Sequence, residues 1–242
     1  MALRFTELHP VFGAQIDGLD IRQPLAANDL DAMRKAMDEY GLLLVRGQAM
    51  TPDQQMALTN QFGPLDLGFR RVKTAPGGDT GHRFAYPELA DISNVEVDNS
   101  IASRNSKKII SNIANQMWHA DSSFQRPRAK YSMLHAVTVA SHGGNTEFAA
   151  QRNAWDRLSD DEKARIEELW VEHFALHSRL ALGDTNYTQA QLDAIAPVLW
   201  PLVQQHPGSG RKHLFIGAHA RDIQGMATAE ARMLWWDLLE HT

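Results

Sequence analysis

The apolar runs of this chain are all short. The stretch Leu42-Leu43-Leu44-Val45 is typical of the longest, and such runs fall far below the roughly 20 residues that a membrane-spanning helix needs. A chain of this kind buries its apolar groups by packing short strands and helices on one another. The period of each run then says which element it builds. From Asn28 to Tyr40, Leu30, Met33, Ala36 and Met37 recur at helical spacing, with Asn28 as the expected cap and Gly41 at the stop. Leu42–Val45 reads as a short buried strand. Thr51-Pro52-Asp53-Gln54 carries a capping-box pattern with proline in the first turn, and its helix closes at Gly63. Beyond a turn-rich stretch, Ala75 to Gly81, read as a functional loop, strand-like runs predominate: Ile92–Val97, Lys108–Ile113, Tyr131–Ala140 and Lys212–Ala218. Helices are expected from Ser159 to Glu172, opened by a second capping box, and from Thr228 to the end. With no internal repeat and no linker, the expectation is one domain over residues 1–242, of the α+β or mainly β class.

Charge and cysteine content narrow the chemistry. A formal charge of -5 offers no general attraction to phosphate backbones or anionic membranes, so neither nucleic acid nor a membrane is an expected partner. Met1–Pro10 lacks the basic start and apolar core of a signal peptide, which points to the cytoplasm. The chain has no cysteine, which removes disulfides, thiolate metal sites and thiol nucleophiles together. Any metal must be held by imidazole and carboxylate.

His119-Ala120-Asp121 supplies such donors. In an extended segment, residues two apart project to the same side, so both side chains can reach one ion. With a distant second His, the pair would form the two-His, one-carboxylate facial triad of non-haem iron oxygenases, which leaves three adjacent positions for substrate-derived ligands and O2. On its own the tripeptide is weak, and an ordinary surface His beside an ordinary Asp explains it equally well.

The surrounding motifs change that balance. His9-Pro10, Gly18-Leu19-Asp20-Ile21-Arg22, Val45-Arg46-Gly47-Gln48, Gln61-Phe62-Gly63-Pro64, Leu89-Ala90-Asp91-Ile92-Ser93-Asn94-Val95, Trp118 to Phe124, Gly143-Gly144-Asn145-Thr146-Glu147-Phe148 and Gly208-Ser209-Gly210-Arg211-Lys212 follow one another along the chain. In this order they resemble the taurine and 2,4-dichlorophenoxyacetate dioxygenase family (TauD/TfdA), nearer its dichlorophenoxyacetate branch. The resemblance implies a double-stranded β-helix, or jelly-roll, core with flanking helices. It implies Fe(II), 2-oxoglutarate as co-substrate and O2, with a small-molecule carboxylate as partner, and it leaves a homo-oligomer open. The implied reaction is hydroxylation beside the ether oxygen of a phenoxyacetate-type aryl ether, which then collapses to a phenol and glyoxylate. Alternatives are a related oxygenase acting on a sulfonate or an N-substituted amino acid, or an inactive jelly-roll binding module.

Carried over residue by residue, the resemblance makes His119 and Asp121 iron ligands and Thr146 a hydroxyl that bonds a 2-oxoglutarate carboxylate. Arg71 and Asn112 become substrate contacts. Trp118, Phe124 and Phe148 are candidates for an apolar wall, against the plainer alternative of core packing. Asn99-Ser100 stands where the branch has a further basic residue, which removes one expected contact. The family's second iron-binding His and its 2-oxoglutarate Arg lie in closing strands that have no match before Thr242. The resemblance therefore places both beyond residue 242 and implies a C-terminally truncated chain.

Overall fold

A computed structural model of the chain describes residues 3–68, 70 and 83–242. In chain order the described strands are β1 (Arg4–Glu7), β2 (Ala14–Asp17), β3 (Leu43–Val45), β4 (Trp170–His173), β5 (Val198–Pro201), β6 (Val203–Gln205), β7 (Lys212–Leu214) and β8 (Ala220–Ile223). The helices are α1 (Ala27–Tyr40), α2 (Pro52–Phe62), α3 (Lys107–Gln116), α4 (Gln151–Arg157), α5 (Asp160–Ile166), α6 (His177–Ala181), α7 (Gln189–Asp193) and α8 (Thr228–His241). No described helix is long and apolar enough to cross a membrane. The chain divides into two compact units interleaved in sequence. The first takes residues 1–65, 131–158 and 205–213; the second takes residues 66–130, 159–204 and 214–242.

The first unit is organised by a β–α–β crossover. β1 pairs antiparallel with β2, β2 pairs parallel with β3, and α1 makes the connection that a parallel pair requires. Helix α1 stops because Gly41 takes the left-handed conformation, φ 71°, and its N–H returns to the Met37 carbonyl at 2.9 Å. Met33 and Leu58, from α1 and α2, close over Ile16, Ile21 and Leu25 to form the core, with Met133 packed against it. Thr51 caps α2 as expected, its side chain and that of Gln54 each bonding the other's backbone N–H.

In the second unit β4 is the central strand of a three-stranded antiparallel sheet, flanked by β5 and β8, with Val171 opposite Trp200 on one side and Ile223 on the other. Phe124, Phe174, Ala175, Leu176 and Ile195 form a buried cluster within this unit.

The described structure departs from the sequence expectations in several places. Lys108–Ile113 is helical, within α3: Ile109, Ile110, Ile113 and Ala114 sit at helical spacing, and the Ser106 hydroxyl accepts the N–H of Ile109 at 3.3 Å. Its β-branched residues favoured a strand, but the cap and the period prevail. Tyr131–Ala140 carries no regular pairing, and Val137 and Val139 stand exposed; alternation makes a strand only where a neighbour completes the ladder. Ile92–Val97 keeps a single bridge, Val95 to Ile101. The expected helix Ser159–Glu172 ends at Ile166, and its last residues enter β4. Helix α1 begins one residue before Asn28, after Ala26, without a side-chain cap. The stretch from Ala75 to Gly81 lies outside the described residues. The chain is thus a helix-and-sheet protein whose described strands form three small sheets.

Candidate active site

The site is built where α3 runs out. At Met117 the backbone turns extended, φ -73° and ψ 142°, and its N–H bonds the Ala114 carbonyl. The next residues are not a strand, as the alternation argument had supposed, but an extended lead-in followed by a turn beginning at Asp121. His119 and Asp121 meet all the same: His119 Nε2 lies 3.3 Å from Asp121 Oδ1. His119 Nδ1 lies 2.7 Å from the Met117 carbonyl oxygen. A carbonyl only accepts, so Nδ1 carries the hydrogen, and in the neutral ring the Nε2 lone pair faces the side where Asp121 stands.

The path of this segment is held closely. The Ala218 N–H donates to the Trp118 carbonyl at 2.7 Å. Gly217 passes so near that a β-carbon there would come within 2.9 Å of the His119 α-carbon. A side chain at 217 would push His119 aside, which is the physical reason for glycine at this position. On the other side of Asp121, Ser122 is buried and takes φ 58°, a conformation that non-glycine residues rarely adopt and that recurs at functional turns. Beneath the turn, Trp200 Nε1 donates to the Ser123 carbonyl at 2.8 Å, and the Arg126 guanidinium lies over the Trp200 ring at 4.1 Å.

Buried rings back the pair. His219 stands edge-on to His119 with centroids 5.8 Å apart, and edge-on to Phe124 at 5.0 Å. Burial and the nearby Arg179 charge depress the His219 pKa to about 3, so it stays neutral, and its Nδ1 has no hydrogen-bond partner among the described residues. His173 stacks on Phe215 at 4.9 Å, and burial lowers its pKa to about 4. His119 behaves oppositely. The Asp121 carboxylate, helped by the Met117 carbonyl, raises its pKa against the opposing effects of burial and Arg179.

Two donors about 2.1 Å from a shared ion and at right angles to each other stand roughly 3 Å apart, so the 3.3 Å separation suits neighbouring ligands of one divalent cation. The fixed Nδ1–H gives the imidazole the outer hydrogen bond that metal-bound histidines carry. Among the described residues no third His, Asp or Glu converges with the pair.

The other expected site residues lie as follows. Asn112 is on α3, not a strand, and its side-chain amide donates to the Ser93 carbonyl at 2.9 Å. Thr146 is exposed, in an irregular stretch of the first unit. Arg71 lies outside the described residues. Phe124 is buried against His219, whereas Trp118 and Phe148 are each nearly half exposed. Sequence reasoning missed Arg179, Gly217 and His219. Gly217 and His219 lie in or just after the strand-like run Lys212–Ala218 noted in the sequence, so position alone could have raised them; Arg179 has no local signature.

Known proteins resemble the chain over nearly its whole length. Residues 4–242 match the family described as taurine catabolism dioxygenase TauD, TfdA family. The alpha-ketoglutarate-dependent 2,4-dichlorophenoxyacetate dioxygenase of Cupriavidus pinatubonensis is 48% identical over 241 residues, covering 100% of this chain and 82% of that protein. The (S)-phenoxypropionate/alpha-ketoglutarate-dioxygenase of Sphingobium herbicidovorans is 34% identical, covering 99% of this chain and 79% of that protein. Among solved structures, AAD-2 in complex with Mn(II) and N-oxalylglycine superposes with a TM-score of 0.93 at 38% identity, over 100% of this chain and 82% of that one.

Proposed function

Because the chain belongs to the TauD, TfdA family of dioxygenases, we propose that it hydroxylates a phenoxyacetate-type aryl ether, releasing a phenol and glyoxylate. It is an enzyme that depends on Fe(II), 2-oxoglutarate and O2, and it shares the jelly-roll dioxygenase fold of its structural neighbours. In this reading His119 and Asp121 hold the metal, and the observation that carries it is the 3.3 Å approach of His119 Nε2 to Asp121 Oδ1 with Nδ1 tied to the Met117 carbonyl. When bound, iron would activate O2 at the expense of 2-oxoglutarate, which is oxidised to succinate and CO2 with one oxygen atom while the other is inserted beside the ether.

The protein's own groups position and shield. The Met117 carbonyl keeps the hydrogen on Nδ1 and so presents Nε2 to the metal. Asp121 would hold the ion beside His119 and bring one negative charge to it. Phe124 and the neutral ring of His219 form an apolar backing that excludes water from the inner side of His119. Thr146 is assigned to a 2-oxoglutarate carboxylate. Arg71 is assigned to the substrate carboxylate, for which a guanidinium fork is well shaped. Asn112 lies on the helix that delivers the motif and is retained as a nearby contact.

The test is a substrate panel run in the intact enzyme with Fe(II) and 2-oxoglutarate. Phenoxyacetates should release phenol in step with succinate, and taurine should not stimulate succinate formation. Turnover of a sulfonate in preference to every phenoxyacetate would overturn the substrate assignment while leaving the reaction class in place.

A further inference from the structure

Arg179 lies on the short helix α6 and is buried in the second unit, only 5% exposed. Its guanidinium reaches out of its own helix. One amino group, Nη1, donates to the Ala175 carbonyl at 3.2 Å; the other, Nη2, donates to Asn115 Oδ1 at 3.2 Å and to Ser111 Oγ at 3.4 Å. Ser111 and Asn115 are four residues apart on α3 and so share one face of it. The guanidinium therefore fastens two successive turns of α3 to α6 from one nitrogen while its other nitrogen holds the Ala175 carbonyl, a span that the compact ammonium of lysine could not reproduce.

What α3 delivers at that end is the site. Asn115 lies two residues before Met117, whose carbonyl holds His119 Nδ1 at 2.7 Å. The linkage from Arg179 to His119 thus runs through one hydrogen bond to Asn115, two residues of backbone and a second hydrogen bond to the imidazole. Gly217 and Ala218 restrain the His119 end of the same segment, so that the backbone from Asn115 to His119 is held at both ends.

We propose that Arg179 is a positioning residue for the metal site, acting through Asn115 to hold the Met117 carbonyl where it fixes the tautomer and direction of the His119 ring. The proposal rests on the reading of His119 as a metal ligand. Outer partners of this kind typically change metal affinity by about 10- to 100-fold when removed.

The test pairs two readouts in the intact chain. The first is the 15N spectrum of labelled histidine above neutral pH, with the His119 resonances assigned by their loss in His119→Ala, which reports which ring nitrogen carries the hydrogen. The second is the affinity for Mn(II) measured directly. Wild type should show the Nδ1–H form; Asn115→Ala and Arg179→Lys should shift His119 toward the Nε2–H form and weaken Mn(II) binding about tenfold, with thermal midpoints within a few degrees of wild type. Asn115→Ala keeps the test usable if a substitution at buried Arg179 hinders folding. An unchanged tautomer and unchanged Mn(II) affinity in Asn115→Ala, with His119→Ala abolishing Mn(II) binding, would overturn the role of Arg179 alone. Mn(II) affinity unaffected by His119→Ala would overturn the metal-ligand reading and this proposal with it.

Discussion

Two residues around the His-x-Asp turn show how little freedom the site has. The closest approach is at Gly217, where a β-carbon would sit 2.9 Å from the His119 α-carbon, against backbone that cannot swing away as a long side chain would. Gly217→Ala should therefore cost about 1–3 kcal/mol of stability, as overpacking does. A resulting displacement of His119 by about 1 Å should lower kcat by about 100-fold, measured as succinate formation at saturating metal. Ser122 illustrates the opposite case. Its φ of 58° is one that glycine adopts freely, so Ser122→Gly should hold or raise stability by up to about 1 kcal/mol, whereas Ser122→Val should lower it and disturb Asp121. Chemical denaturation of the two variants gives the comparison. The adjacency of His119 and Asp121 was legible from two letters and a spacing, although the geometry that achieves it is an extended residue leading into a turn. Arg179 was not legible, because its partners Ser111 and Asn115 lie 68 and 64 residues earlier in the chain and only the fold brings them together.

At the level of elements, what could be read in advance was local chemistry. The capping boxes at Thr51 and Ser159 need only four consecutive residues, and both stand as the sequence indicates. Strands were harder, since a strand exists only when another chain segment completes its hydrogen bonds; Tyr131–Ala140 has the alternation and no regular pairing among the described residues. Helix α3 was misread because its isoleucines favour strands, yet its Ser106 cap and its helical spacing were in plain view. Caps also give a clean test of independence between elements. Thr51→Ala should remove about 1 kcal/mol from stability, since it strands the Gln54 N–H, and should leave kcat unchanged because α2 carries no site residue. A change in kcat larger than twofold would show that α2 supports the site in a way its contacts do not reveal.

For the molecule as a whole, the buried histidines tie stability to pH. His173 is neutral in the folded protein, its pKa lowered by burial from 6.5 to about 4, while in the unfolded chain it takes up a proton below 6.5. The unfolded state therefore binds more protons across that window, and the stability contributed by keeping His173 neutral is complete above about pH 7.5 and is lost as pH falls toward 4. By pH 5 the loss should be about 2 kcal/mol, and His173→Leu should flatten this part of the profile in a denaturation series. His119 works in the other direction: its pKa is raised, and a metal must displace that proton, so metal affinity should fall as pH drops through the raised value. The assignment of the fold class and the reaction came from motifs spread over the whole chain, whereas the site came from a few of them. The central claim, that His119 and Asp121 hold the iron of a 2-oxoglutarate-dependent oxygenation, is tested most directly by succinate formation in the intact enzyme with and without Fe(II), in wild type and in His119→Ala. The expected result is Fe(II)-dependent succinate formation in wild type and a loss of more than about 100-fold in the variant, beyond what removal of an outer partner produces. Undiminished Fe(II)-dependent turnover by His119→Ala would contradict it.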